Sequence, residues 1–153
     1  FRRVLFRSGS WCQFEDKETL EKYSYKTPVQ HKDIIKAMYF RNVFIHPTVM
    51  FRRLLLKQSG YYPVGFEHAE DYAFFWKLIK IKQSFVFDKF LVICELNKRG
   101  LSYRNKSKQL IARWKVVKTF GSKLALKIAA CIRLILLFIL PKGIALQLKK
   151  WRR

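Results

Sequence analysis

EHAEDYAFFWKL, Glu67 to Leu78, places two adjacent carboxylates at the head of a strongly aromatic run. Phe74, Phe75, Leu78, Ile79 and Ile81 recur at helical spacing, which predicts a helix reaching about Lys82 with a broad apolar face. Glu70 and Asp71 then fall in its first turn, where unpaired backbone N–H groups stabilise negative charge and keep a carboxylate ionised. They cannot both point into one apolar core, because two neighbouring buried charges cost roughly several kcal/mol unless one is protonated or paired. At least one therefore faces a cleft or water, where it can act as a base. The plainer alternative is that the pair only decorates a helix start, as acidic residues often do. Trp76 belongs either to the apolar face or to the cover of a site, and aromatics at helical spacing are more often core.

Upstream, HPTVMFRR, His46 to Arg53, predicts an apolar strand opening into a short helix that Gly60 can terminate. Downstream, Phe85 to Phe87 and Leu91 to Ile93 are short β-favouring runs separated by Asp88, Lys89 and Phe90, and they predict a late strand of a mixed sheet. His31 to Phe40 has Ile34, Ile35, Met38 and Tyr39 at helical spacing, and Trp11 to Tyr25 lacks strong periodicity and reads as loop with a short helix. Taken together, HPTVMFRR, GYYPVGFEHAEDYAFFW, the strand after it and an LS step at Leu101 and Ser102 resemble the second half of a family 2 glycosyltransferase of the GT-A fold.

That resemblance covers about residues 32 to 120 and implies an α/β fold, a partial GT-A domain lacking its N-terminal nucleotide-binding half. In that family the Glu-Asp pair at this place supplies the catalytic base, so it implies Asp71 as the base and Glu70 as a supporting or acceptor-binding group. The reaction implied is an inverting transfer from a nucleotide-sugar donor to a cell-surface glycan or lipid-linked acceptor. A divalent metal, Mg or Mn, is expected to be bound mainly by the missing half, because the family's Asp-x-Asp motif occurs nowhere in this chain. The chain alone is accordingly expected to be inactive. His46 before Pro47, His68 three residues ahead of Asp71, Arg52 and Trp76 are candidates for acceptor or diphosphate contact, each with a structural or solvated alternative.

The organisation expected is residues 9 to 105 as the acceptor-side part of the domain and 106 to 153 as a basic helical tail. Residues 1 to 8, FRRVLFRS, resemble the translation of a sequencing adapter and are set apart from fold reasoning. Half the chain is hydrophobic and 16% aromatic, which excludes a disordered polyelectrolyte. Three widely spaced cysteines imply neither a disulfide framework nor a zinc site, and free thiols in a reducing cytoplasm are the simplest account. No glycine-rich phosphate loop is present.

Charge is unevenly placed. Up to Glu95 there are 16 Lys and Arg against 10 acids, whereas from Leu96 to Arg153 there are 16 against none, a composition suited to an anionic surface. Lys108 to Phe120 reads as an amphipathic helix, and Leu124 to Leu140 is a mostly apolar stretch carrying only Lys127 and Arg133. A charge near the centre of a membrane span costs about 2.5 to 3.5 kcal/mol, so an interfacial helix is expected instead, with Lys127, Arg133 and the terminal Trp151 at the headgroups. The predicted setting is the cytoplasmic face of the inner membrane. The competing classes are a nucleic-acid-binding module and a non-catalytic membrane-binding segment. Neither accounts for HPTVMFRR with EHAEDYAFFW, no recognition motif supports the first, and no nucleic acid is expected as a partner.

Overall fold

A computed structural model describes residues 7–95 and 106–139. Leu101, Ser102, Trp151, the terminal IALQLKKWRR and the first six residues of FRRVLFRS lie outside the described residues. The chain is mixed α/β, with elements in the order β1 (Arg7–Glu15), β2 (Lys22–Tyr25), α1 (His31–Met38), a 3-10 turn (His46–Thr48), β3 (Met50–Phe51), α2 (Leu54–Ser59), α3 (Glu70–Ile81), β4 (Phe85–Glu95), α4 (Lys106–Phe120) and α5 (Leu124–Ile139).

β1 organises the sheet. It runs parallel to β4 from Ser8 opposite Phe85 to Glu15 opposite Glu95, and antiparallel to β2 and β3 on its other edge. The region Trp11 to Tyr25, expected as loop and short helix, is therefore mostly strand. Its sequence alternates too weakly to announce a strand, and the pairing with β4 supplies what local propensity does not. The turn between β1 and β2 is closed by Asp16, whose Oδ1 accepts the N–H groups of Glu18 and Thr19 at 3.0 and 3.4 Å. Glu15 and Glu95 face each other at the strand ends, and Lys22 and Lys17 offset them at 3.7 and 2.8 Å.

The two β runs after the aromatic helix form one late strand of the sheet, as expected. Register shifts on either side of Trp11 accommodate Asp88 and Lys89 as a bulge, so the polar interruption bends the strand without ending it. The same pairing brings Cys12 and Cys94 together, with 3.1 Å between their sulfurs. Both remain free thiols, and burial followed by the Cys94 hydrogen bond pushes Cys12 up to about 12.

α3 is buried nearly all round: Tyr72, Ala73, Phe74, Phe75, Trp76, Leu78 and Ile79 are all in the core. α1, α2 and α4 pack on it, and Ile34, Met38, Leu55, Val116 and Val117 complete the cluster. α2 ends as expected at Gly60, whose φ of 67° lies in the left-handed region. Tyr72 donates its hydroxyl to the Met38 carbonyl, fixing α3 on the end of α1.

The connection from α4 to α5 is built on one close approach. Tyr39 packs edge-on to Trp76 at 5.1 Å, and its hydroxyl accepts the N–H groups of Ser122 and Lys123, both at 2.9 Å. A Cβ on Gly121 would sit 2.7 Å from both Tyr39 Cε1 and the Val117 carbonyl oxygen, and neither can yield, one being a buried ring and the other helix backbone. Gly121→Ala is therefore expected to destabilise the fold by about 1 to 3 kcal/mol, read as a lowered urea midpoint with unchanged slope.

Candidate active site

α3 begins at Glu70 with no side-chain cap from Ala69, so its first turn is open to other acceptors. The approach is made by His68, whose φ of 68° is an uncommon left-handed conformation for a residue with a side chain. It turns the chain sharply into the helix. Glu70 is exposed, while Asp71 is half-buried at the edge of the core.

Both oxygens of Asp71 are held. Oδ1 accepts the Tyr72 N–H at 2.6 Å, and Oδ2 accepts Asn42 Nδ2 at 3.0 Å. Asn42 is itself fixed, because its Oδ1 accepts the Phe44 N–H at 3.2 Å, which leaves the amide one orientation. The carboxyl's pKa is raised above the ordinary value. Burial is the main cause and the charge of Glu70 adds to it, while the Tyr72 N–H and the positive fields of His46 and Arg113 oppose it. A carboxylate raised this way, yet held by donors, is a stronger base than an exposed aspartate.

His46 reaches the same neighbourhood from the 3-10 turn. Its Nε2 lies 2.7 Å from the Tyr62 hydroxyl, and Tyr62 stacks on Phe74 with 4.5 Å between ring centres. Burial raises the Tyr62 hydroxyl's pKa, and the charges of Asp71 and Glu70 raise it further, which places the phenol within their field. Asp71, Glu70, His46 and Tyr62 therefore form one electrostatic neighbourhood at the start of α3, with Asn42 as its support.

The other sequence candidates are placed apart from it. Trp76 is in the core, 2% exposed, one and a half turns along α3 from Asp71 and packed on Tyr39, the position of a packing residue and not of a ligand platform. Arg52 is exposed just after β3. Lys127 and Arg133 are on α5, half-buried, with Arg133 Nη1 donating to the Phe40 carbonyl. Sequence reasoning missed Asn42, Tyr62 and Arg113. Tyr62 stands in the quoted GYYP, but Asn42 is 29 residues from Asp71 in a loop with no pattern of its own.

Among the described residues no group of three His, Cys, Asp or Glu side chains is arranged to hold a metal ion. Asp71 spends both its oxygens on hydrogen-bond donors.

Over 96 residues, 62% of its length, the chain is 34% identical to the O-antigen biosynthesis glycosyltransferase WbnJ of Escherichia coli. The chain is similar to a glycosyltransferase. The match takes in 34% of that protein, so the chain spans about a third of its length. No protein-family model matches the chain, and no solved structure matches it. The mixed α/β fold described above is compatible with part of a glycosyltransferase-like domain.

Proposed function

We propose that this chain is the acceptor-side part of an inverting family 2 glycosyltransferase of the GT-A fold, with Asp71 as its catalytic base. One observation carries the reading: a half-buried carboxylate of raised pKa, fixed through both oxygens at the start of α3, in a chain similar to an O-antigen glycosyltransferase. The substrates that fit are a nucleotide sugar and a glycan hydroxyl, and the relative's name favours a cell-envelope polysaccharide as the product class.

In this reading Asp71 takes the proton of an acceptor hydroxyl as that oxygen forms a bond to the anomeric carbon. The bond from that carbon to the diphosphate oxygen breaks, and the nucleoside diphosphate leaves with the electron pair. Configuration inverts because attack and departure lie on opposite faces. Asn42 and the Tyr72 N–H orient the carboxylate, and Glu70 and His46 border the place where the acceptor sits. A divalent ion held outside the described residues would neutralise the leaving diphosphate. The test is to incubate the complete protein with a panel of nucleotide sugars and envelope glycans and measure nucleoside diphosphate release. Release with one donor supports transfer, and none with any donor defeats it.

The pH dependence has a definite sign. A base works only when deprotonated, and the raised pKa of Asp71 moves the acidic limb of the rate profile above the ordinary carboxylate range. Asn42→Ala removes a donor to the charged form, so it is expected to move that limb further toward neutral pH. A limb that stays in place in Asn42→Ala, measured as kcat/KM against pH, would show that Asn42 does not tune the base.

A further inference from the structure

α5 is turned in an unexpected sense. Its cations face the protein: Arg133 donates to the Phe40 carbonyl, and the Lys127 side chain lies against the Gly121 connection, its Cε 3.3 Å from where a Cβ would stand. Ala130 is buried on the same side against the protein. The outward side carries Leu124, Ile128, Ile132, Ile135 and Ile139, every one of them more than half exposed. Their spacing of four, four, three and four residues puts them in one stripe along the helix. A helix that hides its charges and shows its aliphatic residues is the reverse of an ordinary surface helix.

We propose that the outer face of α5 docks onto an anionic lipid surface, lying in the plane of the interface. Charge selects this occupant. Among the described residues, α4, α5 and the connection between them carry eight basic residues and no carboxylate, so the unit bearing the stripe attracts acidic headgroups. The same charge opposes a second copy of the chain, because two acid-free segments would be brought together across an aliphatic seam. Nucleic acid is poorly served by a stripe of leucine and isoleucine, which offers no stacking face. The 16-residue helix is about 24 Å long, short of the roughly 30 Å hydrocarbon core, and among the described residues no helix is long and apolar enough to cross a membrane. Shallow burial of the stripe, with Arg133 kept on the protein side, matches the geometry of an interfacial helix.

The experiment is flotation of the complete protein with phosphatidylethanolamine–phosphatidylglycerol vesicles and, separately, with phosphatidylcholine vesicles. The expected result is binding to the anionic vesicles that weakens as salt is added. The variant carrying Ile128→Glu with Ile135→Glu is expected to lose at least about tenfold in vesicle partitioning. Ile128→Gln with Ile135→Gln removes the apolar contact without adding negative charge and is expected to fall in the same direction. Both sites are exposed, and circular dichroism checks that the fold is retained. Wild-type flotation in both variants overturns the proposal, as does equal binding to both vesicle types. A lipid-free dimer in sedimentation that Ile135→Glu separates into monomers also overturns it, by assigning the stripe to a second copy. None of these readouts depends on sugar transfer, so the proposal and the catalytic reading fail independently.

Discussion

In the complete protein, Asp71→Asn is expected to lower kcat for sugar transfer by about 10²- to 10⁴-fold while leaving nucleotide-sugar affinity largely unchanged. The amide matches the carboxylate in size and can still accept the Tyr72 N–H. It cannot take a proton from an acceptor hydroxyl at any working pH. The substitution also places an amide NH2 against Asn42 Nδ2, donor facing donor, where the native pair is 3.0 Å apart. Asn42 cannot relieve this by rotating its amide without losing the Phe44 N–H. A local cost of about 1 kcal/mol therefore accompanies the catalytic loss, too small to unfold the domain. Donor affinity measured by calorimetry separates the two effects, because the base contributes to the transition state and little to donor binding. Transfer at the native rate in Asp71→Asn would remove Asp71 from the base role. Glu70→Gln, at an exposed position, is expected to have a much smaller effect.

Trp76→Ala carries the largest expected effect on stability, about 3 to 5 kcal/mol. The indole is among the largest fully buried side chains, and its removal leaves a cavity between α3 and the end of α1. It also takes away the edge-on partner of Tyr39, the residue whose hydroxyl holds the backbone at Ser122 and Lys123. The start of α5 should loosen together with the core, visible as faster amide exchange at those two residues. Trp76→Phe keeps most of the apolar volume and should lose much less. Native stability combined with weakened acceptor binding in Trp76→Ala would instead show that the ring meets a ligand.

Much of the local structure was legible. The aromatic periodicity after Glu70 and Asp71 announced α3 and its start, Gly60 announced the end of α2, and the spacing of Ile34, Ile35 and Met38 announced α1. Each of these is decided within one or two helical turns, where side-chain spacing and glycine's freedom at positive φ act directly. The candidate carboxylates were legible for the same reason. β1 was not, because its hydrogen bonds run to β4 more than seventy residues away and to short strands on its other edge. A weak pattern becomes a central strand only when such partners exist. The two runs flanking Asp88 and Lys89 were legible as one late strand, and the pairing with β1 shows how a bulge carries that strand past the polar residues.

The amino-acid order alone therefore settled the periodic helices α1 and α3, where the carboxylates stand on α3, and that positive charge without acid gathers after Glu95. The tertiary structure alone decided what those groups meet. It brought Asn42 to Asp71, His46 to Tyr62 and Cys12 to Cys94, and it turned Arg133 inward and the aliphatic stripe of α5 outward. The physical reason is range. Helical periodicity is a property of neighbours three and four residues apart, whereas a carboxylate's pKa and a helix's outward face depend on which distant surfaces exclude water from it.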